Sequence, residues 1–208
     1  MKNKIILFGG SFNPVHLGHI AVAEFALEYL TASQVIFVPA KRSPFKTCPP
    51  QVADQQRVEM LNLAISGHKE FTIDTCELSR PAPSYTLDTV LYFKKKFPHD
   101  TILYWLIGAD MVGDLSKWYR IQQIMDNCIV SVMNRGGIDS PDFEQFERDM
   151  PAEYASAIRK NMINTPRIDI SSTDVRWKIE HSQDVSALLD SRVLRYIHAN
   201  RLYAVSNH

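Results

Sequence analysis

The sequence predicts an α/β fold built on an open parallel sheet with helices on both faces. Short apolar runs alternate with longer helical patterns along the whole chain. Several of these runs, such as residues 102–107, are apolar without alternation, which is typical of strands covered on both faces. With 208 residues, of which 45% are hydrophobic, the chain is long enough for one domain with a substantial core.

The order of the predicted elements is that of a Rossmann-like sheet. Strands are predicted at residues 5–8, 34–38, 71–74, 101–107, 128–133 and 167–170. Helices are predicted at residues 17–30, 53–65, 87–97, 154–162, 173–180 and 191–199. We therefore expect a single domain over residues 1–208, with a C-terminal helical part from about residue 171.

Two segments are predicted to be loops. Residues 40–51 contain three prolines and three basic residues, Lys41, Arg42 and Lys46, so they form neither a helix nor a central strand. Long loops in compact domains are often lids or binding loops. Residues 136–151 are expected to be a surface excursion that has room for a short helix.

Composition excludes several classes of protein. Lys plus Arg equals Asp plus Glu, at 23 each, so no global positive field favours a nucleic-acid partner. The three cysteines are widely spaced and predict neither a disulfide framework nor a zinc site. The N-terminal apolar run is too short for a signal peptide, and no run has the length of a membrane helix. We expect a cytoplasmic protein without a membrane partner, and leave its oligomeric state open.

The most informative stretch of the sequence runs from Gly9 to His19. It joins the first predicted strand to the first predicted helix, where backbone N–H groups and the positive helix end bind phosphates. His16 and His19 are three residues apart and therefore share one helical face. The alternative is an ordinary turn before a helix that happens to contain histidines. The glycines, the histidine pair and the position together favour a phosphate site.

A second stretch near the C-terminus also joins a predicted strand to the start of a predicted helix. Residues 167–170 are predicted to be a short buried strand, followed by Ser171, Ser172 and Thr173, which provide cap oxygens and early helical N–H groups. Arg176 projects from the first turn of that helix, within reach of an anion at its end. Taken alone, this stretch is better explained as an ordinary cap with a surface arginine.

Together the two stretches resemble the nucleotidylyltransferase superfamily, which carries a His-x-Gly-His motif and an Ile-Ser-Ser-Thr-x-x-Arg motif. They lie here at residues 16–19 and 170–176. Within the superfamily the chain looks like the bacterial nicotinate-nucleotide adenylyltransferases, with further matches along nearly its whole length at residues 37–46, 84–89, 108–110, 117–119, 134–137, 193–197 and 202–203. One departure is Asn13, where the family often has Asp. A neutral side chain still caps the turn, but no carboxylate is present.

The resemblance implies transfer of AMP from ATP to nicotinate mononucleotide, giving deamido-NAD and pyrophosphate in NAD biosynthesis, with Mg²⁺ accompanying the ATP. His16 and His19 are expected to donate hydrogen bonds to the α-phosphate. Arg176 is expected to bind the departing phosphates, and Lys46 to close over them from its loop. These four residues are the predicted catalytic residues.

Two further sets of residues follow from the resemblance. Those expected to contact ATP are Gly9, Gly10, Ser11, Phe12, His19, Gly108, Asp110, Arg135, Ile170, Ser171, Ser172 and Thr173. Those expected to contact the acceptor are Lys46, Tyr85, Thr86, Trp118 and Tyr119. By sequence alone, Asp110 is equally well explained as a helix cap, and Trp118 and Tyr119 are better explained by core packing.

Other catalytic classes fit less well. The chain has no His-Glu-x-x-His pattern, no Gly-x-Gly-x-x-Gly turn, no P-loop and no Gly-x-Ser-x-Gly elbow, and no protein metal site is predicted. Two alternatives stay open. One is an adenylyltransferase for a different acceptor, nicotinamide mononucleotide or phosphopantetheine. The other is a non-catalytic nucleotide-binding module.

Overall fold

The structure, a computed structural model, describes residues 2–45, 49–135, 143–165 and 169–204. Its strands are β1 (Lys4–Gly10), β2 (Gln34–Pro39), β3 (Phe71–Ile73), β4 (Ile102–Gly108), β5 (Ile129–Arg135) and β6 (Met162–Thr165). Its α-helices are α1 (Leu17–Tyr29), α2 (Asp54–Ile65), α3 (Thr86–Lys96), α4 (Ile121–Asn127), α5 (Glu144–Asp149), α6 (Ala152–Lys160), α7 (Ser172–Glu180) and α8 (Ser191–Ala199). A 3₁₀ helix spans Ala109–Lys117.

The six strands form one parallel sheet in the order β3-β2-β1-β4-β5-β6. The direction of winding reverses between β1 and β4, which pair from Lys4 with Ile102 to Phe8 with Leu106. In open α/β sheets, ligands bind outside the carboxyl ends of the strands at such a reversal. The topology therefore places a binding crevice beyond Gly10 and Gly108.

Apolar side chains cover both faces of this sheet. On β4, Tyr104 and Leu106 pack into a core with α1, α2, α7 and α8. Leu103, Trp105 and Ile107 point to the opposite face and pack with α3 to α6 and the 3₁₀ helix. The continuous apolar run of β4 reflects this burial on both sides, and the predicted fold class is confirmed.

Most predicted elements lie within two residues of the observed ones, and the last strand is the exception. A strand was predicted at residues 167–170. The last described strand is instead Met162–Thr165, and residues 169–170 are in neither strand nor helix. The apolar pattern did not identify β6 because this strand is short and only its Ile163 and Thr165 are buried. The first two residues of the predicted strand, 167 and 168, lie outside the described residues.

Three helical segments of the structure, the 3₁₀ helix, α4 and α5, are not among the helices predicted from the sequence. Helix α4 has only seven residues, and the buried residues of the 3₁₀ helix, Ala109, Val112 and Leu115, recur every three residues and not with the α-helical period. Helix α5 lies in the second predicted loop, where the sequence left room for a short helix. Among the described helices, none is both long enough and apolar enough to cross a membrane.

Candidate active site

The turn between β1 and α1 requires its glycines because aromatic rings pack directly against them. A Cβ on Gly9 would lie 2.6 Å from the Trp105 ring, and one on Gly10 would lie 2.9 Å from the Phe12 ring. Both distances are shorter than real Cβ contacts. Phe12 itself is buried with φ of 45°. The rings therefore hold the backbone of this turn, which we call the phosphate turn (Gly9–Pro14), in one conformation.

The two predicted histidines meet at the start of α1. Their rings stack with centroids 3.7 Å apart and planes 29° apart. The backbone N–H of His16, the N-cap residue, donates to Nδ1 of His19 at 3.2 Å. This is the contact that a glutamate makes three residues after a helix cap. Because Nδ1 of His19 accepts, the neutral ring carries its proton on Nε2.

The second motif binds the phosphate turn directly. Ser171 caps α7 by accepting from the Asp174 N–H at 3.0 Å. The Ser172 hydroxyl donates to the Pro14 carbonyl at 2.9 Å. Nη1 of Arg176 donates to the Asn13 carbonyl at 2.7 Å, and its Nη2 donates to the Thr173 hydroxyl at 3.2 Å. Segments more than 150 residues apart in sequence thus form one polar cluster.

The C-terminal segment adds a third contact to the same turn. The Tyr203 hydroxyl donates to Oδ1 of Asn13 at 2.7 Å. Burial raises the pKa of Tyr203, so its hydroxyl remains a donor at working pH. Asn13 is itself buried, and its neutral oxygen accepts this bond without a carboxylate.

A pocket of about 560 Å³ opens beside the phosphate turn. It unites residues that were predicted separately for ATP and for the acceptor. Those predicted residues are Gly9, Gly10, Ser11, Gly108, Tyr85, Thr86, Trp118 and Tyr119. His16, His19 and Arg176 are not among the lining residues. They gather at the other end of the phosphate turn, which enters the pocket through Gly9 to Ser11.

Aromatic rings form one wall of the pocket. Tyr85 and Tyr119 lie with ring centroids 4.7 Å apart, and Phe45 approaches Trp118 at 6.3 Å. Tyr119 is 45% exposed, so it is not a core residue. Trp118 is half-buried, and its Nε1 has no hydrogen-bond partner among the described residues. The rings therefore offer a largely aromatic surface to the pocket.

The start of α3 forms another wall. Tyr85 is the N-cap residue and Thr86 begins the helix, so the first N–H groups of α3 lie beside the pocket. Ser84, which precedes Tyr85, connects this wall to the segment that contains Lys41 and Arg42. Its N–H donates to the Arg42 carbonyl at 2.9 Å, and its hydroxyl accepts from the Lys41 N–H at 3.0 Å.

Two buried residues of the site were missed by the sequence analysis. Glu77 lines the pocket, and its carboxylate accepts from the Thr89 hydroxyl at 2.6 Å. Burial raises the pKa of Glu77, which the hydrogen bonds from Thr89 and Ser84 oppose. No sequence pattern marked this residue, since it lies in a turn.

Arg57 is the second missed residue, and it is completely buried. It donates to the carbonyls of Ser11 and Ala40 and to the Asp54 carboxylate. A signal for it existed in the sequence. A charged residue stands three and four positions before Met60 and Leu61, on the apolar face of α2.

The remaining predicted residues lie at the edges of the site. Asp110 is exposed in the 3₁₀ helix, whose N-cap is Gly108, so Asp110 is not the cap that the sequence left as an alternative. Arg135 ends β5, and half-buried Ile170 precedes the α7 cap. Lys46 lies outside the described residues. Within residues 2–45, 49–135, 143–165 and 169–204, no group of three or more His, Cys, Asp or Glu residues could hold a metal ion.

Comparison with known proteins identifies the family. Residues 7–178 match the cytidylyltransferase-like family. Relatives named as probable nicotinate-nucleotide adenylyltransferases include those of Rhodopirellula baltica and Carboxydothermus hydrogenoformans. The first is 37% identical to this chain and the second 38%. Each alignment covers 96% of this chain, with 92% of the first relative's length and 98% of the second's. The relative from Staphylococcus epidermidis is 35% identical over 98% of both chains.

A solved structure shows the same fold. The Plasmodium falciparum nicotinic acid mononucleotide adenylyltransferase, complexed with NaAD, aligns over 97% of both chains with a TM-score of 0.77 and 18% identity. The predicted family and enzyme class are thereby confirmed. The chain belongs to the cytidylyltransferase-like family and, within it, to the nicotinate-nucleotide adenylyltransferases.

Proposed function

We propose that the protein transfers AMP from ATP to nicotinate mononucleotide in the cytoplasm, as a step of NAD biosynthesis. A phosphate oxygen of the mononucleotide attacks the α-phosphorus and forms the new P–O–P bond. The bond from the α-phosphorus to the oxygen that bridges to the β-phosphate breaks, and pyrophosphate leaves. Such a transfer needs alignment and charge stabilisation more than covalent help from the protein.

The observation that carries the proposal is the shared pocket. Gly9 to Ser11, at the phosphate turn, and the Tyr85–Tyr119 aromatic wall line one cavity. A reaction between two substrates requires their reacting atoms within about 3–3.5 Å of each other. One pocket with a phosphate-binding turn at one side and an aromatic wall at the other suits a nucleotide and a pyridine ring.

The histidine pair suits charge that develops on the α-phosphate. His19 presents a protonated Nε2, because its Nδ1 is occupied by the His16 N–H. Stacking of the two rings fixes the direction of this donor before substrate arrives. A donor held in place in this way strengthens its hydrogen bond as negative charge grows in the transition state.

The start of α7 suits the departing phosphates. Arg176 has two described hydrogen-bond partners, a carbonyl and a hydroxyl, and neither is negatively charged. Its guanidinium charge is therefore available to pyrophosphate, beside the N–H groups of the helix start. We propose that Lys46 closes over these phosphates from its loop. Mg²⁺ would accompany ATP as part of the substrate and would help to neutralise charge on the phosphates.

The acceptor carboxylate suits the start of α3. The first N–H groups of a helix and its positive dipole end favour an anion, and Thr86 begins this helix. The nearby Glu77 does not oppose this strongly. Its carboxylate is bound by Thr89, and the Arg80 guanidinium lies 3.9 Å away. Trp118 and Tyr119 are proposed to stack on or flank the pyridine ring.

Pyrophosphate release with ATP and a panel of acceptors tests the proposal. Nicotinate mononucleotide is expected to give the highest kcat/KM, followed by nicotinamide mononucleotide, and phosphopantetheine is expected to be inactive. The dinucleotide product should be detected by mass. Binding of ATP without release of pyrophosphate with any acceptor would support the non-catalytic alternative.

A further inference from the structure

Arg57 makes contacts that the proposed chemistry does not explain. It lies in the first turn of α2, and its side chain is fully buried. Nη1 donates to the Ser11 carbonyl at 2.6 Å. Nη2 donates to the Ala40 carbonyl at 2.7 Å and to Oδ1 of Asp54 at 2.6 Å. A single guanidinium thus binds two backbone carbonyls and one carboxylate.

The two carbonyls belong to loops that leave neighbouring strands. Ser11 follows β1 and Ala40 follows β2, whose last residues, Gly10 and Pro39, are paired in register. The Ala40 N–H also donates to the Gly10 carbonyl at 2.8 Å. Because the guanidinium is planar and its donors are fixed in direction, its two bonds add a rigid bridge between these loops beside the Ala40–Gly10 hydrogen bond.

Stability alone gives a weak reason for an arginine at this position. Its Nε is buried without a hydrogen-bond partner in the described parts of the chain. Its one acidic partner, Asp54, has a side chain that is 39% exposed. Buried ion pairs contribute little compared with apolar residues of similar size, and an unpaired buried N–H is unfavourable. The loops that Arg57 binds are a better reason for its presence.

Both loops contribute walls to the pocket. Ser11 belongs to the phosphate turn, and Ala40 begins the segment whose Ser43 and Phe45 also line the pocket. We propose that Arg57 is a positioning residue that holds the ATP side and the acceptor side of the site at a fixed separation. Both substrates then depend on a residue that is not among those lining the pocket. The identity of the two substrates rests on the proposed function.

Three variants test this proposal. Arg57→Lys keeps the charge, but a single ammonium cannot reproduce the planar set of donors. Arg57→Met keeps much of the buried volume without any donor. Arg192→Met is the matched control. Arg192 also binds polar groups at the ends of two helices, the carboxylate of Asp190, which caps α8, and the hydroxyl of Ser66, which follows α2, and it does not line the pocket.

Kinetics are measured well below each melting temperature, for ATP and for nicotinate mononucleotide. In Arg57→Lys and Arg57→Met we expect both KM values to rise together, by roughly 10- to 100-fold, since small misplacements of binding groups have effects of this size. Hydrogen exchange of the Ala40 amide should accelerate in both. Arg192→Met should lower the melting temperature and leave both KM values unchanged.

Calorimetric binding of α,β-methylene-ATP gives a readout that does not need turnover. The two Arg57 variants should bind it more weakly than wild type. A wild type that binds the analogue but makes no dinucleotide contradicts the proposed function and still permits the test on Arg57. The proposal would be overturned if the folded variants bound the analogue with wild-type affinity or if only one KM changed. It would also be overturned if both variants failed to fold, or if the wild type did not bind the analogue.

Discussion

The two sides of the site are built in different ways. The phosphate turn is held by three side chains from distant parts of the chain. Ser172 and Arg176 donate to its backbone carbonyls, and Tyr203 donates to the side chain of Asn13. The other side, which we propose binds the acceptor, is mainly aromatic, and its Tyr119 and Phe45 are nearly half exposed. Charge stabilisation requires donors fixed in direction, whereas a flat ring can bind to a surface that adjusts. We therefore expect changes at the phosphate turn to lower kcat, and changes at the aromatic wall to raise the KM of the acceptor.

The largest effect is expected from His19→Ala. Loss of one preorganised donor to a developing charge lowers kcat by roughly 10²- to 10³-fold, with a much smaller change in ATP binding. Single-turnover kinetics and ATP titration measure the two separately. His68→Ala is the control, since His68 contacts Glu24 and Phe71 and does not line the pocket. A near-normal kcat in His19→Ala would remove this residue from the chemistry.

Arg176→Ala should have the next largest effect. Loss of a charge-assisted contact to phosphate is expected to lower kcat/KM for ATP roughly 10- to 100-fold, through both a higher KM and a lower kcat. The bond to the Asn13 carbonyl is lost as well, which should destabilise the fold by about 1 kcal/mol. Steady-state kinetics and thermal melting measure both. A clearly lower melting temperature with unchanged kinetics would make Arg176 a structural residue.

Acceptor choice tests the other side of the comparison. The carboxamide of nicotinamide mononucleotide turns an NH₂ toward N–H groups that suit a carboxylate, so a buried group is left unpaired. We expect kcat/KM for the acid to exceed that for the amide by at least about 10-fold. Trp118→Ala should weaken both acceptors alike and leave their ratio nearly unchanged. Equal values in the wild type would contradict the carboxylate site at α3.

The smallest effect is expected from Tyr203→Phe. It removes only the hydroxyl that donates to Oδ1 of Asn13, at about 1 kcal/mol of stability, which is a fall of roughly 2–4 °C in melting temperature. The control is Tyr29→Phe, because Tyr29 is 59% exposed. Since the bonds from Ser172 and Arg176 remain, kcat should change little. A loss of kcat as large as that in His19→Ala would show that the C-terminal segment sets the catalytic geometry.

Much of the geometry of the candidate site was predictable because its signals are local. The glycines before His16, the histidine spacing and the serine cap of α7 are each short patterns with a direct physical meaning. Continuous apolar runs likewise indicated a parallel sheet buried on both faces. The last strand was misplaced because β6 has only two buried residues, too few for a period to be recognised.

The sequence by itself determined the fold class and the family, and it marked the turn that we propose binds phosphate, since each depends on residues close together in the chain. Only the tertiary structure decided which nitrogen of His19 carries the proton, and that Tyr203 and Arg176 both bind Asn13. It alone revealed that buried Arg57 joins two loops and that Glu77 faces the pocket. These features arise from contacts between segments far apart in sequence, and no local pattern records which distant groups will satisfy a buried polar atom.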